Sequence, residues 1–197
     1  MSYEQLDESG LNQNNMNMYD ERVGFGRRLG AYMLDLLIAL VFGGFIASFV
    51  GEDLAQTFYG SQLAEVDNTL AMFASSDVDM EGFMLRTFGY SAGVSIIIII
   101  FFILEGALGQ SAGKMLLQIF NTNTDGTQAD AGKLWLRAFL KYGSTLLSLV
   151  GGIVGLTFIG SIGSLWGFVI FVGFFFAFGD KKQTIHDMLA KTVVSRK

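Results

Sequence analysis

The sequence of 197 residues has no cysteine, no proline and a single histidine. Without cysteine there is no disulfide framework, thiolate metal site or cysteine nucleophile, and nothing from which to read the redox compartment. With one histidine, a metal site would have to take its other ligands from carboxylates, so zinc is disfavoured and no metal is expected. Without proline, the 25 glycines are the main means of loosening helices or letting them approach closely. Charged residues make up only 16% of the chain and sum to −5, which gives a nucleic-acid partner no support. Catalytic signatures are missing too. There is no serine–histidine–acid spacing and no dinucleotide motif, and Gly109-Gln-Ser-Ala-Gly113-Lys114 lacks the length and the strand–turn–helix setting of a phosphate loop. Neither an enzyme nor a cofactor is expected. Apolar residues are what the chain has in plenty: half of it is hydrophobic, with 19 phenylalanines, a composition that points to lipid rather than to a soluble core.

Residues 1–21 are Asn-, Met- and acid-rich without apolar periodicity, the composition of a disordered tail. The domain that follows is expected to run over 22–197. Its first apolar stretch, 28–50, is long enough for a transmembrane helix. A cleaved signal peptide is the alternative, but Asp35 inside the stretch and its length argue against removal. Residues 51–85 form an acidic loop with no Lys or Arg, in which loosely spaced Leu54, Phe58, Leu63, Val66, Leu70 and Phe73 allow short helices on the membrane surface. A second helix is expected over 86–108.

The connection that follows is net basic. Its segment from Met115 to Asn121, followed by Asp125-Gly126, predicts a small β-hairpin. The last apolar run, 143–179, is too long for one ordinary crossing. The three basic flanks belong on the cytoplasmic side under the positive-inside tendency, so an even number of crossings separates Tyr142 from Asp180. The expected fold is therefore an all-α membrane protein with about four transmembrane helices (28–50, 86–108, 140–156, 161–178), both termini cytoplasmic, in the bacterial inner membrane. One long tilted helix over the last run is the alternative.

Asp35 lies two helical turns from Arg28, too far for an ordinary pair along one helix, so each needs a partner from elsewhere. A carboxylate at that depth costs on the order of 3 kcal/mol if ionised at the bilayer centre, so Asp35 must face protein or water. Glu105, near the cytoplasmic end of the second helix, lies at similar depth. Arg28, Lys114 or Arg137 are the cations available to separate the two acids. Such a group can bind a cation or relay a proton. The plain alternatives are an Asp35 used for packing and a Glu105 reaching water. His186-Asp187 follows the last helix and completes the polar set. Glycines at four-residue spacing, Gly89/Gly93, Gly151/Gly155 and Gly163/Gly167, predict tight helix contacts.

These elements together resemble the RDD family of small membrane proteins. The first helix has Arg28, Ala31 and Asp35 at the family's spacing; then come Glu105, Gly109-Gln-Ser-Ala-Gly-Lys114, Asp125-Gly126, Arg137 and His186-Asp187-Met-Leu-Ala-Lys-Thr192-Val-Val. Departures are Ser111-Ala112 where Thr-Leu is typical, Lys191 where Gly is usual, and the longer acidic loop. The resemblance implies transport, in some members exchange of sodium or another monovalent cation for protons, and in others a part in membrane assemblies. It ranks Arg28, Asp35 and Asp187 above Glu105 and His186. Two readings follow: an exchanger acting through Asp35 and Glu105, with the bilayer, a cation or proton and a homo-oligomeric or other membrane partner, or a scaffold held by an Arg/Asp lock.

Overall fold

The computed structural model describes residues 22–70 and 80–196, so the expected disordered tail 1–21 and the middle of the acidic loop lie outside the described residues. The chain is mostly helical: α1 (Phe25–Leu70), α2 (Met80–Leu108), α3 (Ala112–Leu116), α4 (Ala131–Val154), α5 (Thr157–Phe174) and α6 (Ile185–Ala190), with a 3-10 turn at Phe175–Phe178 and strands β1 (Ile119–Asn123) and β2 (Thr192–Arg196). Three stretches are long and apolar enough to cross a membrane, Phe25–Gly60, Gly82–Leu108 and Thr157–Phe178.

Two faces of α1 explain its surroundings. Ala31, Asp35, Ala39 and Gly43, each four residues on from the last, are buried, while Met33, Leu37, Val41, Phe45 and Phe49 on another face are exposed. In water such a phenylalanine-bearing stripe would be a sticky patch; against acyl chains it is the expected surface. The small residues on the buried side let α2 come within backbone contact. A Cβ on Gly93 would lie 2.2 Å from the Gly43 carbonyl oxygen, and one on Gly89 would lie 2.6 Å from that of Gly51. Even alanine at these positions would push the helices apart.

As one straight rod, the 46 residues of α1 would reach about 70 Å, more than twice the hydrocarbon thickness. A kink prevents this: Val50 has φ −135° and ψ 19°, outside the helical region. Beyond it the chain does not continue outward along α2. The Tyr59 hydroxyl is 3.2 Å from Ser91 Oγ and 3.4 Å from Ser95 Oγ, so the segment after Gly51 turns back over α2. Residues 51–70, expected as a loop with short surface helices, are thus a helical extension of the first crossing. Acidic side chains such as Glu52 and Asp53 do not end a helix, and the chain has no proline to do so.

The last apolar run is two helices. Gly155, at φ +75°, caps α4 in the left-handed conformation, and α5 begins two residues later. The pair is antiparallel. Gly151 approaches Gly160, Gly163 approaches Ser144 and Ser148, and the Trp166 indole N–H donates to the Leu140 carbonyl at 2.9 Å. The hairpin therefore forms as expected, although α4 begins nine residues earlier than residue 140 and carries Arg137 and Lys141 inside it.

β1 was expected to fold back on its own neighbourhood. The Asp125-Gly126 turn does form, with Gly126 at φ +83°, but it leads only to a single bridge, Thr122 to Gln128. The main partner of β1 is β2, antiparallel, with Asn121 opposite Val194 and Asn123 opposite Thr192. Arg22 bridges Ser195, and the Val23 amide donates to the Val194 carbonyl at 2.8 Å, so the two ends of the described chain meet on this sheet. Val23, Ala31, Ile119 and Val194 form a small core beneath it, next to the larger cluster of Ala39, Ile97, Phe101, Ala138 and Tyr142 between the helices.

Candidate functional site

The end of the bundle that carries the sheet also gathers the buried charges. Glu105, one turn before the end of α2, is fully buried. Its Oε1 accepts from Lys114 Nζ, from an Arg137 guanidinium nitrogen and from Asn121 Nδ2, the last at 3.2 Å. Its Oε2 accepts from Lys141 Nζ at 2.7 Å and from the Tyr142 hydroxyl at 2.9 Å. Arg137 turns its Nε to Asp187 Oδ1 at 2.7 Å, and Asp187 Oδ2 in turn pairs with Arg28. Arg28 completes its fork on backbone carbonyls, with Nε on Val23 at 2.9 Å and a terminal nitrogen on Lys182 at 2.6 Å. An unbroken chain of ion pairs, Arg28–Asp187–Arg137–Glu105–Lys114, thus links the start of α1, α6, α4, the end of α2 and α3.

Local sequence explains how each group gets there. Thr184-Ile-His-Asp187 is a capping box: the Thr184 side chain accepts from the Asp187 amide, and the Asp187 carboxylate accepts from the Thr184 amide at 3.1 Å. The carboxylate that caps α6 is therefore the one that receives both arginines. Burial would raise the Asp187 carboxyl, but the guanidinium of Arg137 and then that of Arg28 outweigh it and hold it well below the usual carboxylate value. Lys114 is placed by α3, which rests so closely on α1 that a Cβ on Gly113 would lie 2.1 Å from the Ala31 carbonyl oxygen. Burial and the nearby Arg137 push the Lys114 ammonium down to about 7, against the raising effect of Glu105. Four cations, Arg28, Lys114, Arg137 and Lys141, surround two carboxylates, so the cluster is short of negative charge. A lysine that loses its proton readily relieves that excess.

Asp35 is separate. It lies two turns deeper, accepts from Ser111 Oγ at 2.6 Å and from the Gly113 amide at 2.7 Å, and has no ion pair among the described residues. Arg28, one of the three cations expected to separate it from Glu105, is committed to Asp187 instead. His186 is buried beside the lock. Its Nε2 is 3.8 Å from Asp187 Oδ1, its Nδ1 has no hydrogen-bond partner among the described residues, and burial pushes its pKa down to about 3, so it is neutral at ordinary pH. Among the described residues no group of three or more histidine, aspartate or glutamate side chains is placed to hold a metal ion.

Of the residues singled out in the sequence, Arg28, Glu105, Lys114, Arg137 and Asp187 come together, His186 borders them, and Asp35 stands apart. Lys141, Tyr142, Asn121 and Ser111 complete the site. Lys141 was legible as a member of the row Lys133, Arg137, Lys141 at four-residue spacing on an amphipathic helix. The other three carry no charge and gave no signal. Lys191 also finds an explanation. It ends α6 with φ 53° and ψ 43°, the left-handed conformation that glycine adopts most easily.

A family model described as the RDD family matches residues 22–191, most of the chain, and the chain belongs to that family. No curated protein and no solved structure matches it.

Proposed function

We propose that this RDD-family chain is a multi-pass membrane protein whose inner charges are a structural lock, and that it serves as a membrane scaffold or accessory subunit. The observation that carries this reading is the saturation of Glu105 and Asp187. Both oxygens of each carboxylate are taken by protein donors, mainly cations. An exchange site must release its protein partners to admit an ion, and breaking a buried pair costs about 3–5 kcal/mol. A fixed lock needs no such step, and it fastens both ends of the described chain to the helices.

A second reading, transport of a monovalent cation or proton, now rests on Asp35 alone. Only neutral donors hold that carboxylate, and an intramembrane acid of this kind is where proton or cation exchange is built. Reconstitution into proteoliposomes separates the two. The scaffold reading expects no cation-dependent proton flux from the wild type. Flux that Asp35→Asn abolishes would overturn it.

We also assign four crossings, the third being the apolar part of α4, with the lock in the cytoplasm of a bacterial cell. Support comes from the clustering of Arg22, Arg28, Lys114, Arg137, Lys141 and Lys182 at the sheet end, while α1 and α2 meet Glu52 and Asp53 at the other. Because the chain lacks cysteine, single cysteines report the topology directly. Leu156→Cys is expected to label from outside intact cells and Asp125→Cys only after permeabilisation; the reverse pattern would overturn the assignment.

A further inference from the structure

At the far end of the bundle from the lock, α1 and α2 enclose a cleft of about 240 Å³ lined by Ala47, Ser48, Gly51, Glu52, Leu85, Arg86, Gly89 and Tyr90. Its floor is set by the glycines, whose backbones touch. Its wall is the Tyr90 ring, fixed by a 3.0 Å hydrogen bond from its hydroxyl to the Leu40 carbonyl. Two opposite charges share the cleft without pairing: among the described residues neither Glu52 nor Arg86 has a salt bridge or side-chain hydrogen bond, and both are exposed.

The position of the cleft along the membrane normal follows from chain length. From Glu105 back to Arg86 is nineteen residues of helix, about 28 Å at 1.5 Å per residue, which is the hydrocarbon thickness. With Glu105 at one boundary, Arg86 lies at the other, among lipid head groups. Exposed Phe45 and Phe49, on the bilayer side of the cleft, serve as acyl-chain contacts. The volume equals roughly eight waters at about 30 Å³ each, room enough to admit a small polar head group.

We propose that this cleft binds the head group of a zwitterionic phospholipid, its phosphate on the Arg86 guanidinium and its ammonium on the Glu52 carboxylate. Guanidinium offers a planar fork that matches phosphate oxygens, and a carboxylate is the natural acceptor for a primary ammonium. An anionic lipid such as phosphatidylglycerol lacks the ammonium and leaves Glu52 facing a phosphate of like charge. A choline head group has no N–H to donate. The site thus selects phosphatidylethanolamine over both.

The test is native mass spectrometry of the full chain released from detergent with equimolar phosphatidylethanolamine, phosphatidylglycerol and phosphatidylcholine, with soluble phosphoethanolamine in a parallel arm. The wild type is expected to retain phosphatidylethanolamine preferentially. Arg86→Gln is expected to lower that retention roughly tenfold, the scale of one charge-assisted hydrogen bond. Glu52→Gln is expected to keep lipid but lose the preference over phosphatidylglycerol. Neither residue has a polar partner among the described residues, so the melting temperature should stay at the wild-type value in both variants, and Glu52→Gln alone carries the test if the arginine variant misfolds. Equal retention of the three lipids by the wild type would overturn the proposal, as would variants indistinguishable from it. Binding of soluble phosphoethanolamine with no lipid retained would overturn the lipid source.

Discussion

The two ends of the helix bundle are held by opposite means. At the sheet end, five segments far apart in sequence are joined by buried ion pairs centred on Glu105 and Asp187. At the far end, α1 and α2 meet through bare backbone at Gly43/Gly93 and Gly51/Gly89, and Glu52 and Arg86 in the cleft beside them have no ion pair among the described residues. The difference follows from what each contact has to achieve. Glycine contacts work between two long helices already aligned by the bilayer, where dispersion and close approach supply the attraction. The sheet end has to fasten short pieces, α3, α6 and two five-residue strands, that bury too little apolar surface to stay docked alone. Directional, charge-assisted bonds do that. A buried ion pair adds little net stability over an apolar substitute, but losing one partner strands the other, so the lock acts through specificity.

The comparison is broken most severely at Glu105. Replacing it with leucine leaves Lys114, Arg137 and Lys141 buried around an apolar side chain, and a loss of about 3–5 kcal/mol or more is expected; folded protein recovered from membranes should fall to near zero. Next comes the opposite end. Gly93→Leu forces a side chain into the Gly43 backbone and should destabilise by about 1–3 kcal/mol, read as a lower melting temperature in detergent with the lock intact.

Acidity probes the lock itself. The folded Lys114 value of about 7 lies below its ordinary 10.5, so between the two the unfolded chain binds more protons than the folded one. Stability should therefore rise with pH from 7 upward, by about 1 kcal/mol per pH unit at its steepest, and Lys114→Met should flatten that rise. Asp187 gives a pH dependence of the same sign on the acid side. Its depressed carboxyl supplies stability that is present above the ordinary carboxylate value and lost as pH falls toward the folded one.

A smaller effect is expected at Asp35. Asparagine keeps one oxygen to accept from the Gly113 amide, and its NH2 can donate to the Ser111 hydroxyl oxygen, so Asp35→Asn should cost about 1 kcal/mol, far less than the loss at Glu105. A loss as large as that at Glu105 would mean that Asp35 carries an ionic role in the fold. Smallest of all is Lys191→Gly, which relieves a left-handed backbone and should raise stability by about 0.5–1 kcal/mol.

Much of the fold was legible in the sequence because apolar length marks the helices: the stretches expected at 28–50, 86–108 and 161–178 fall in the three that are long and apolar enough to cross a membrane among the described residues. The tight helix contacts were legible in Gly89/Gly93, and the final hairpin in the length of the last run. The continuation of α1 past Val50 was not, since its apolar residues follow only a loose period and nothing there breaks a helix. The pairing of β1 with β2 was hidden as well. Antiparallel partners about 70 residues apart leave no local trace, whereas the Asp125-Gly126 turn advertises a hairpin that closes with one bridge. In the site, the charged members were visible as anomalies in an apolar chain. Their pairing was not, because Asp35 is satisfied by a hydroxyl and a backbone amide, groups that occur everywhere, while Glu105 collects three cations from two different elements.

A simple charge swap between Arg28 and Asp187 would mislead, because an arginine at 187 would face Arg137 and lose the cap of α6. The direct measurement is a double-mutant cycle with Arg28→Met, Asp187→Asn and the pair, read as unfolding free energies in detergent. A structural lock predicts that the double variant is less destabilised than the sum of the single ones, with a coupling of about 1–3 kcal/mol. Additivity of the two losses would contradict it.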